Sequence, residues 1–259
     1  MAYNLGINLF ANYLQSASFS LGYNYTFVEL KLDSEVDENI FRVGGRYTLP
    51  VRAMSGELSL EIDAYAGEYT VTASPVVGTS ESTDIAVIHP QLSYINFSRT
   101  FYLDLGYAYS EYDSDSFYDV EVGQISPTIG FGWNSTSDWV QLRGYFISIE
   151  QQTRLLNDDE FASAELSYTH WFERKAAPFL DNVRLALLAG ERVLAVDPYA
   201  KAVNSVNDKE TGAVSAAAQW TLSQSLKLML LTSYEEYQND VLADDYESVL
   251  VYGNIQGQW

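Results

Sequence analysis

The stretch Val249 Leu250 Val251 Tyr252 Gly253 Asn254 Ile255 Gln256 Gly257 Gln258 Trp259 puts Val, Val, Gly, Ile, Gly and Trp at alternate positions and Leu, Tyr, Asn, Gln and Gln between them. Side chains of an extended chain alternate faces with a period of two, so the stretch reads as a strand with one face for hydrocarbon and one for water. Similar segments recur near 2–14, 17–31, 40–50, 56–72, 84–97, 100–113, 118–133, 138–152, 160–173, 182–196, 210–222, 225–239 and 245–259. A succession of this kind predicts an all-β fold, a transmembrane up-and-down antiparallel β-barrel of about 12 to 14 strands with lipid outside and a polar lumen.

Composition narrows the choices. The chain has 259 residues with no linker, composition break or low-complexity tract, so 1–259 reads as a single domain. There is no Cys, which excludes disulfides, thiolate metal sites and thiol chemistry. No run of about 18 apolar residues occurs, so a helical span is excluded. A charged segment followed by an apolar one is also missing, and an export signal is expected to be absent from this sequence or already removed. The 20 Tyr exceed the 12 Phe and 5 Trp, which suits interfacial belts where a ring with a polar tip spans oil and water.

The net charge of -21 is unevenly spread. Acidic clusters fall in the longer connections: Asp33, Glu35, Asp37 and Glu38; Glu111, Asp113, Asp115 and Asp119; Asp158, Asp159 and Glu160; Asp240, Asp244, Asp245 and Glu247. Arg52, Arg99, Arg174 and Lys175 lie in other connections, and the two sets alternate. An up-and-down barrel requires this, because every second connection emerges at the same end. The connections at Gln15–Ser16, Ser98–Arg99, Asn134–Ser137 and Ser223–Gln224 are short and rich in turn formers.

Thirteen segments conflict with the even strand number of bacterial single-chain barrels. Two resolutions are open for residues 1–16. Either they are an extra wall strand of a barrel whose first neighbour precedes the sequence, or they plug a 12-stranded barrel running from Ala17. Asn4, Asn8 and Asn12 would share one face of a plug helix, whereas Tyr3, Leu5, Ile7, Leu9, Ala11 and Tyr13 alternate as a strand does.

Facing locates the polar chemistry. In Phe41 Arg42 Val43 Gly44 Gly45 Arg46 Tyr47 the apolar set faces out, and Arg42 and Arg46 face in. The next strand turns Glu57, Glu61 and Asp63 inward. Neighbouring strands lie about 4.8 Å apart, so these five residues are placed to form a ladder of ion pairs. Asp104, Arg143, Glu165, Arg184, Arg192 and Lys227 also fall on inward phases. The predicted lumen wall is therefore nearly charge-balanced, unlike the strongly selective filters built from unpaired charges of one sign.

Catalytic readings are weak. His89 faces inward with Ser93 on the same face, and His170 falls on the lipid-facing phase near a rim. A hydrolase or acyltransferase would need a His and a Ser within hydrogen-bond reach, and such spacing arises easily by chance. No GxSxG, HExxH, phosphate-binding or dinucleotide motif occurs, so no enzyme activity and no cofactor are expected. Nor do the acidic loops have EF-hand spacing, and no metal site is expected. Basic runs with interleaved aromatics are missing, which argues against nucleic-acid binding.

The chain resembles Gram-negative outer-membrane β-barrel proteins over essentially its whole length. The most specific likeness is the last strand, similar to the superfamily's C-terminal assembly signal in Val251, Gly253, Ile255, Gly257 and Trp259. It departs at Gly257, where a larger apolar residue is common. The resemblance implies docking onto the barrel-assembly machinery, an outer-membrane location with a periplasmic C-terminus, and contact with lipid and lipopolysaccharide. The functional expectation is a porin-like channel for passive diffusion of small hydrophilic solutes, mildly cation-preferring because its outer vestibule is acidic. A translocator or anchoring barrel of autotransporter type, and a structural or adhesive barrel working through its acidic outer loops, are the alternatives.

Overall fold

The computed structural model describes all residues except 1, 15, 30–34, 51–54, 73–79, 115–118, 152–157, 174–178, 199–200, 204–207, 224, 240–243 and 259. In chain order the strands are β1 Ala2–Leu14, β2 Ala17–Glu29, β3 Glu35–Thr48, β4 Gly56–Thr72, β5 Ser80–Asn96, β6 Phe101–Ser114, β7 Val120–Trp133, β8 Asp138–Gln151, β9 Glu160–Trp171 and β10 Leu180–Arg192. Two short strands follow, β11 Val196–Asp197 and β12 Ala202–Val203, and then β13 Lys209–Ser223, β14 Leu226–Asn239 and β15 Asp244–Gln258. Thirteen of them close into one barrel, while β11 and β12 pair only with each other.

Residues 2–14 form a wall strand, and the barrel closes through it. Every other barrel pair is antiparallel, but β1 pairs β15 in parallel from Ala2↔Leu250 to Phe10↔Gln258. This corrects the expectation of a wholly antiparallel wall: with thirteen strands, first and last run in the same direction. Outside the seam, Leu5 and Leu230 lie around Gly253, their methyl carbons 3.7 and 3.6 Å from where a Cβ would stand. Inside, Gly6 leaves room for Asn24 of β2 and for Tyr252 and Asn254 of β15. Any Cβ at Gly6 would come within 2.8 Å of the last two.

The connections at 15–16, 49–55, 97–100, 134–137, 172–179 and 224–225 lie at one end, the turn end, and the rest at the other, the loop end. Turn geometry at the first of these ends uses left-handed backbone at Ser55, Arg99, Asn134, Ser135 and Thr136. Asn96 fixes the turn into β6 by accepting bonds from the backbone N–H of Thr100 and Phe101 at 2.8 and 3.0 Å.

Alternation is visible in the burial of neighbours: Phe41 and Val43 are 61% and 59% exposed, and Arg42 between them is 2% exposed. Around the outside, mid-height positions such as Leu21, Ile62, Leu105, Leu142, Leu187 and Val251 are exposed and aliphatic. An aromatic belt with Tyr47, Phe97, Phe131, Trp133 and Phe179 surrounds the turn end, and Tyr23, Tyr107, Tyr109 and Tyr234 flank the loop end. Beyond that second belt the outward positions turn acidic, with Glu35, Glu68, Asp84, Glu111, Glu121, Glu150, Glu160, Glu236 and Glu247. Among the described residues no Lys or Arg takes an outward strand position.

The interior is not uniformly polar, which corrects the sequence reading. Its turn-end half carries Ser59, Gln91, Ser93, Asp104, Thr128, Arg143, Glu165 and Arg184, all buried. The loop-end half along β3 to β9 is apolar: Ile40, Tyr65, Ile85, Val87, Val120, Val122, Ile147, Ile149 and Phe161 form one buried cluster. Water cannot solvate both halves equally well, so the apolar half needs a partner inside the barrel.

Candidate functional site

That partner is the connection from β10 to β13. Pairing with β9 ends at Gly190, and after Arg192 the chain leaves the wall and enters the bore as the β11–β12 hairpin, with Val196 opposite Val203 and Asp197 opposite Ala202. Gly190 has φ +101°, and a Cβ there would fall 2.5 Å from the Ala162 carbonyl oxygen, so glycine is required at the departure point. The β10–β13 register shifts between Ala189 and Arg192, where the strand peels away. Val193, Leu194, Ala195 and Val196 are then almost fully buried, joined to the apolar lining by contact and by a hydrogen bond from the Tyr112 hydroxyl to the Leu194 carbonyl at 3.4 Å.

Polar anchors fix the hairpin's position. The Gln124 side chain on β7 donates to the Val196 carbonyl at 2.9 Å and accepts from the Val196 N–H at 3.0 Å, acting as a one-residue strand partner. Lys201 Nζ donates to Glu61 at 2.7 Å and Asp63 at 2.8 Å, both on β4. Asn24 Nδ2 donates to the Lys201 carbonyl at 3.1 Å. Strand β4 lies six places from β10 in one direction round the barrel and seven in the other. The hairpin therefore spans the bore from wall to opposite wall.

The charges expected on the inner wall are arranged as follows. Arg42 pairs with Asp63 at 2.5 Å and donates to Asn8 Oδ1 at 3.1 Å. Arg46 stands opposite Glu61 in the register, yet it donates to Ser59 Oγ at 3.4 Å, and Glu61 pairs with Lys201. Glu57 is exposed near the turn end. The five-residue ladder is thus replaced by a cluster of the buried Arg42 and Asp63 with the partly exposed Lys201 and Glu61. Farther round, Arg143 lies 4.0 Å from Asp104 and donates to Thr128 Oγ1 at 3.0 Å. Arg184 pairs with Glu165 at 2.5 Å, Arg192 with Glu210 at 2.7 and 3.2 Å, and Lys227 with Asp181 at 3.3 Å.

Sequence reasoning missed Lys201, Glu210 and Asp181. Lys201 sits in a connection, and the other two sit beside register shifts, where a strict period of two assigns the wrong face. A signal for the hairpin was present: Val193 Leu194 Ala195 Val196 does not alternate, and its connection carries Lys201 at the end where the connections are mostly acidic.

On β13 to β15 the inward side chains are mostly uncharged, Lys209, Glu210, Lys227 and Glu235 excepted. On β13, β14 and β15, Ala213, Ser215, Gln219, Leu231, Ser248 and Leu250 stay half-exposed, in contrast to the buried charges elsewhere. The loop end of this sector carries Glu235, which accepts from Tyr237 at 2.7 Å, and Asp208, which accepts from Tyr246 at 2.5 Å; the two rings stack at 5.2 Å.

The histidines are separate. His89 is buried with neither ring nitrogen hydrogen-bonded among the described residues. At the turn end, His170 Nδ1 lies 2.8 Å from Asp138 Oδ1, which also accepts from Tyr168 at 2.5 Å. No group of three metal-ligating side chains occurs among the described residues. Arg52, Arg174, Lys175, Asp33, Asp115, Asp240 and Trp259 lie outside the described residues, so most of the basic half of the expected charge alternation and the end of the assembly signal do too. Within that signal, Val251 and Ile255 are exposed on the outer face. No protein-family model matches this chain, and comparison with curated proteins gives no match either.

Proposed function

We propose that the protein is an outer-membrane channel of porin type, for passive diffusion of small hydrophilic solutes, with a bore narrowed by its own β11–β12 hairpin. The observation that carries this reading is the asymmetry of the interior. The hairpin packs against one side, while on β13 to β15 half-exposed uncharged inward side chains alternate with buried Ala217, Met229, Ser233, Tyr252 and Asn254, and we read this side as the path. The aliphatic mid-height belt between two aromatic belts supports a lipid environment, and strands of 12 to 17 residues exceed the roughly 9 to 11 that a tilted strand needs to cross a bilayer. On this reading the loop end faces outward toward lipopolysaccharide and the C-terminus is periplasmic. Val251, Gly253, Ile255, Gly257 and Trp259 then serve docking on the assembly machinery. A lumenal helix at residues 1–16 would distinguish a translocator or anchoring barrel, and the wall position of β1 weighs against it. Glu235 and Asp208 at the loop end of the path favour mild cation preference, since low-dielectric walls concentrate counter-ions.

Two measurements test this. Refolded protein in a planar bilayer under a KCl gradient should give small discrete current steps with a reversal potential displaced modestly toward the cation value. Anion preference refutes the selectivity, and a barrel that inserts without conducting refutes the channel. The membrane placement has its own test in Leu187→Arg at mid-height on β10. In lipid vesicles this change should destabilise folding by about 2–4 kcal/mol in urea titrations, the cost of a charge at the bilayer midplane. In a soluble barrel an exposed substitution of this kind stays within roughly 0.5 kcal/mol.

A further inference from the structure

Four polar atoms on neighbouring strands face the bore with no hydrogen-bond partner among the described residues: Arg143 Nη1 and Tyr145 OH on β8, Ser163 Oγ on β9 and Arg192 Nη1 on β10. They form one cluster. Tyr145 and Ser163 are direct cross-strand partners, Arg143 is two residues from Tyr145 on the same face, and the Arg192 guanidinium lies over the Tyr145 ring at 5.3 Å. Arg143, Tyr145 and Ser163 are 5%, 0% and 7% exposed, so bulk water does not satisfy them. Buried polar groups without partners are costly and uncommon, and four together mark a place built to receive something.

The chemistry of the cluster is specific. Arg143 spends Nε on Thr128, and Arg192 spends Nε and Nη2 on Glu210, leaving one guanidinium edge of each free. Both hydroxyls can donate, so the cluster is rich in donors, with Asp104 Oδ2, 4.0 Å from Arg143 Nη2, beside it as an acceptor unpartnered among the described residues. Asp104 and Glu210 largely offset the two positive charges, which favours a compact oxyanion held by hydrogen bonds over a strongly charged polyanion. The hairpin brings such a group near: Asp197 follows Val196, whose backbone Gln124 holds on β7, the strand beside β8, so its carboxylate acts on Arg143, Tyr145 and Arg192.

We propose that Arg143, Tyr145, Ser163 and Arg192 form an oxyanion-binding station in the bore, for which the hairpin's Asp197 carboxylate competes with a carboxylate or phosphate group of a passing solute. The station stands on interior geometry alone, so a barrel that conducts nothing would still bind. Full-length protein refolded in detergent micelles is titrated calorimetrically with inorganic phosphate and, separately, with acetate. Asp197→Asn should tighten binding of at least one of them by about ten-fold, as expected when a tethered competitor holding the site nine-tenths of the time is removed. Adding Arg143→Lys, or Tyr145→Phe with Ser163→Ala, to that variant should abolish the gain while the barrel keeps its heat-modifiable electrophoretic shift. A response to phosphate alone assigns a tetrahedral anion, and a response to acetate assigns a carboxylate. No gain in Asp197→Asn for either anion, or a gain that survives both added changes, overturns the proposal.

Discussion

Replacing residues 194–206 by a short glycine–serine turn should raise single-channel conductance several-fold and reduce discrimination by solute size. The hairpin reaches from β10 to β4 across the bore, so its removal opens the sector that it fills. Relative magnitudes decide which variants to make. Val193, Leu194, Val196 and Val203 are each nearly fully buried, and burying an aliphatic side chain of that size contributes about 1.5–3 kcal/mol. Lys201 remains partly accessible, so its ion pairs with Glu61 and Asp63 contribute less than their short distances suggest. Lys201→Ala alone should therefore leave the hairpin in place and the conductance nearly unchanged. Leu194→Glu with Val196→Glu places two carboxylates in the apolar cluster and should expel the hairpin without shortening the chain. If the deletion and the double substitution both insert as barrels yet conduct like the parent, the hairpin does not restrict the path.

What the sequence reveals and what it hides follow from the range of each signal. Alternation is local, so β3, β9 and β15 can be read from a dozen residues each, and the facing of Arg42, Asp63 and Glu165 follows from the phase of their own strands. Closure is not local. Nothing in the period of β1 says that its second neighbour is β15, running parallel, because register depends on the partner as well as on the strand. The hairpin falls between these cases. Val193 to Val196 continues the apolar character of β10 and reads as a strand end, and only the left-handed turn at Gly190, a backbone property, sends it inward. Pairing of charges was least legible. Arg46 and Glu61 are true register partners, yet a lysine about 140 residues along the chain takes the carboxylate. Inward apolar residues such as Ile85, Val87 and Ile147 were visible as short unbroken apolar runs, Ile85 to Ile88 and Phe146 to Ile147, which break the expected alternation.

Asp63→Ala should be among the most damaging single substitutions in the barrel, costing about 3–5 kcal/mol, the range seen when one partner of a buried ion pair is removed. Asp63 is fully buried and holds two cations from different parts of the fold, Arg42 on the adjacent strand through Oδ1 and Lys201 on the hairpin through Oδ2. Without the carboxylate, Arg42 keeps Asn8 as a neutral acceptor, and Lys201 keeps Glu61. The losses are therefore unequal: a buried guanidinium without a counter-charge is far costlier than a lysine that retains one carboxylate. This inequality can be measured. Arg42→Met combined with Asp63→Ala removes both members of the buried pair and should recover much of the stability lost in Asp63→Ala, whereas Lys201→Met combined with Asp63→Ala should recover little. Urea unfolding of the refolded variants in vesicles gives both coupling energies by double-mutant cycle. Equal recovery from the two second substitutions would show that the carboxylate serves the hairpin as much as the wall, and a loss in Asp63→Ala below about 1 kcal/mol, the scale of an exposed pair, would mean that water reaches this cluster despite its burial.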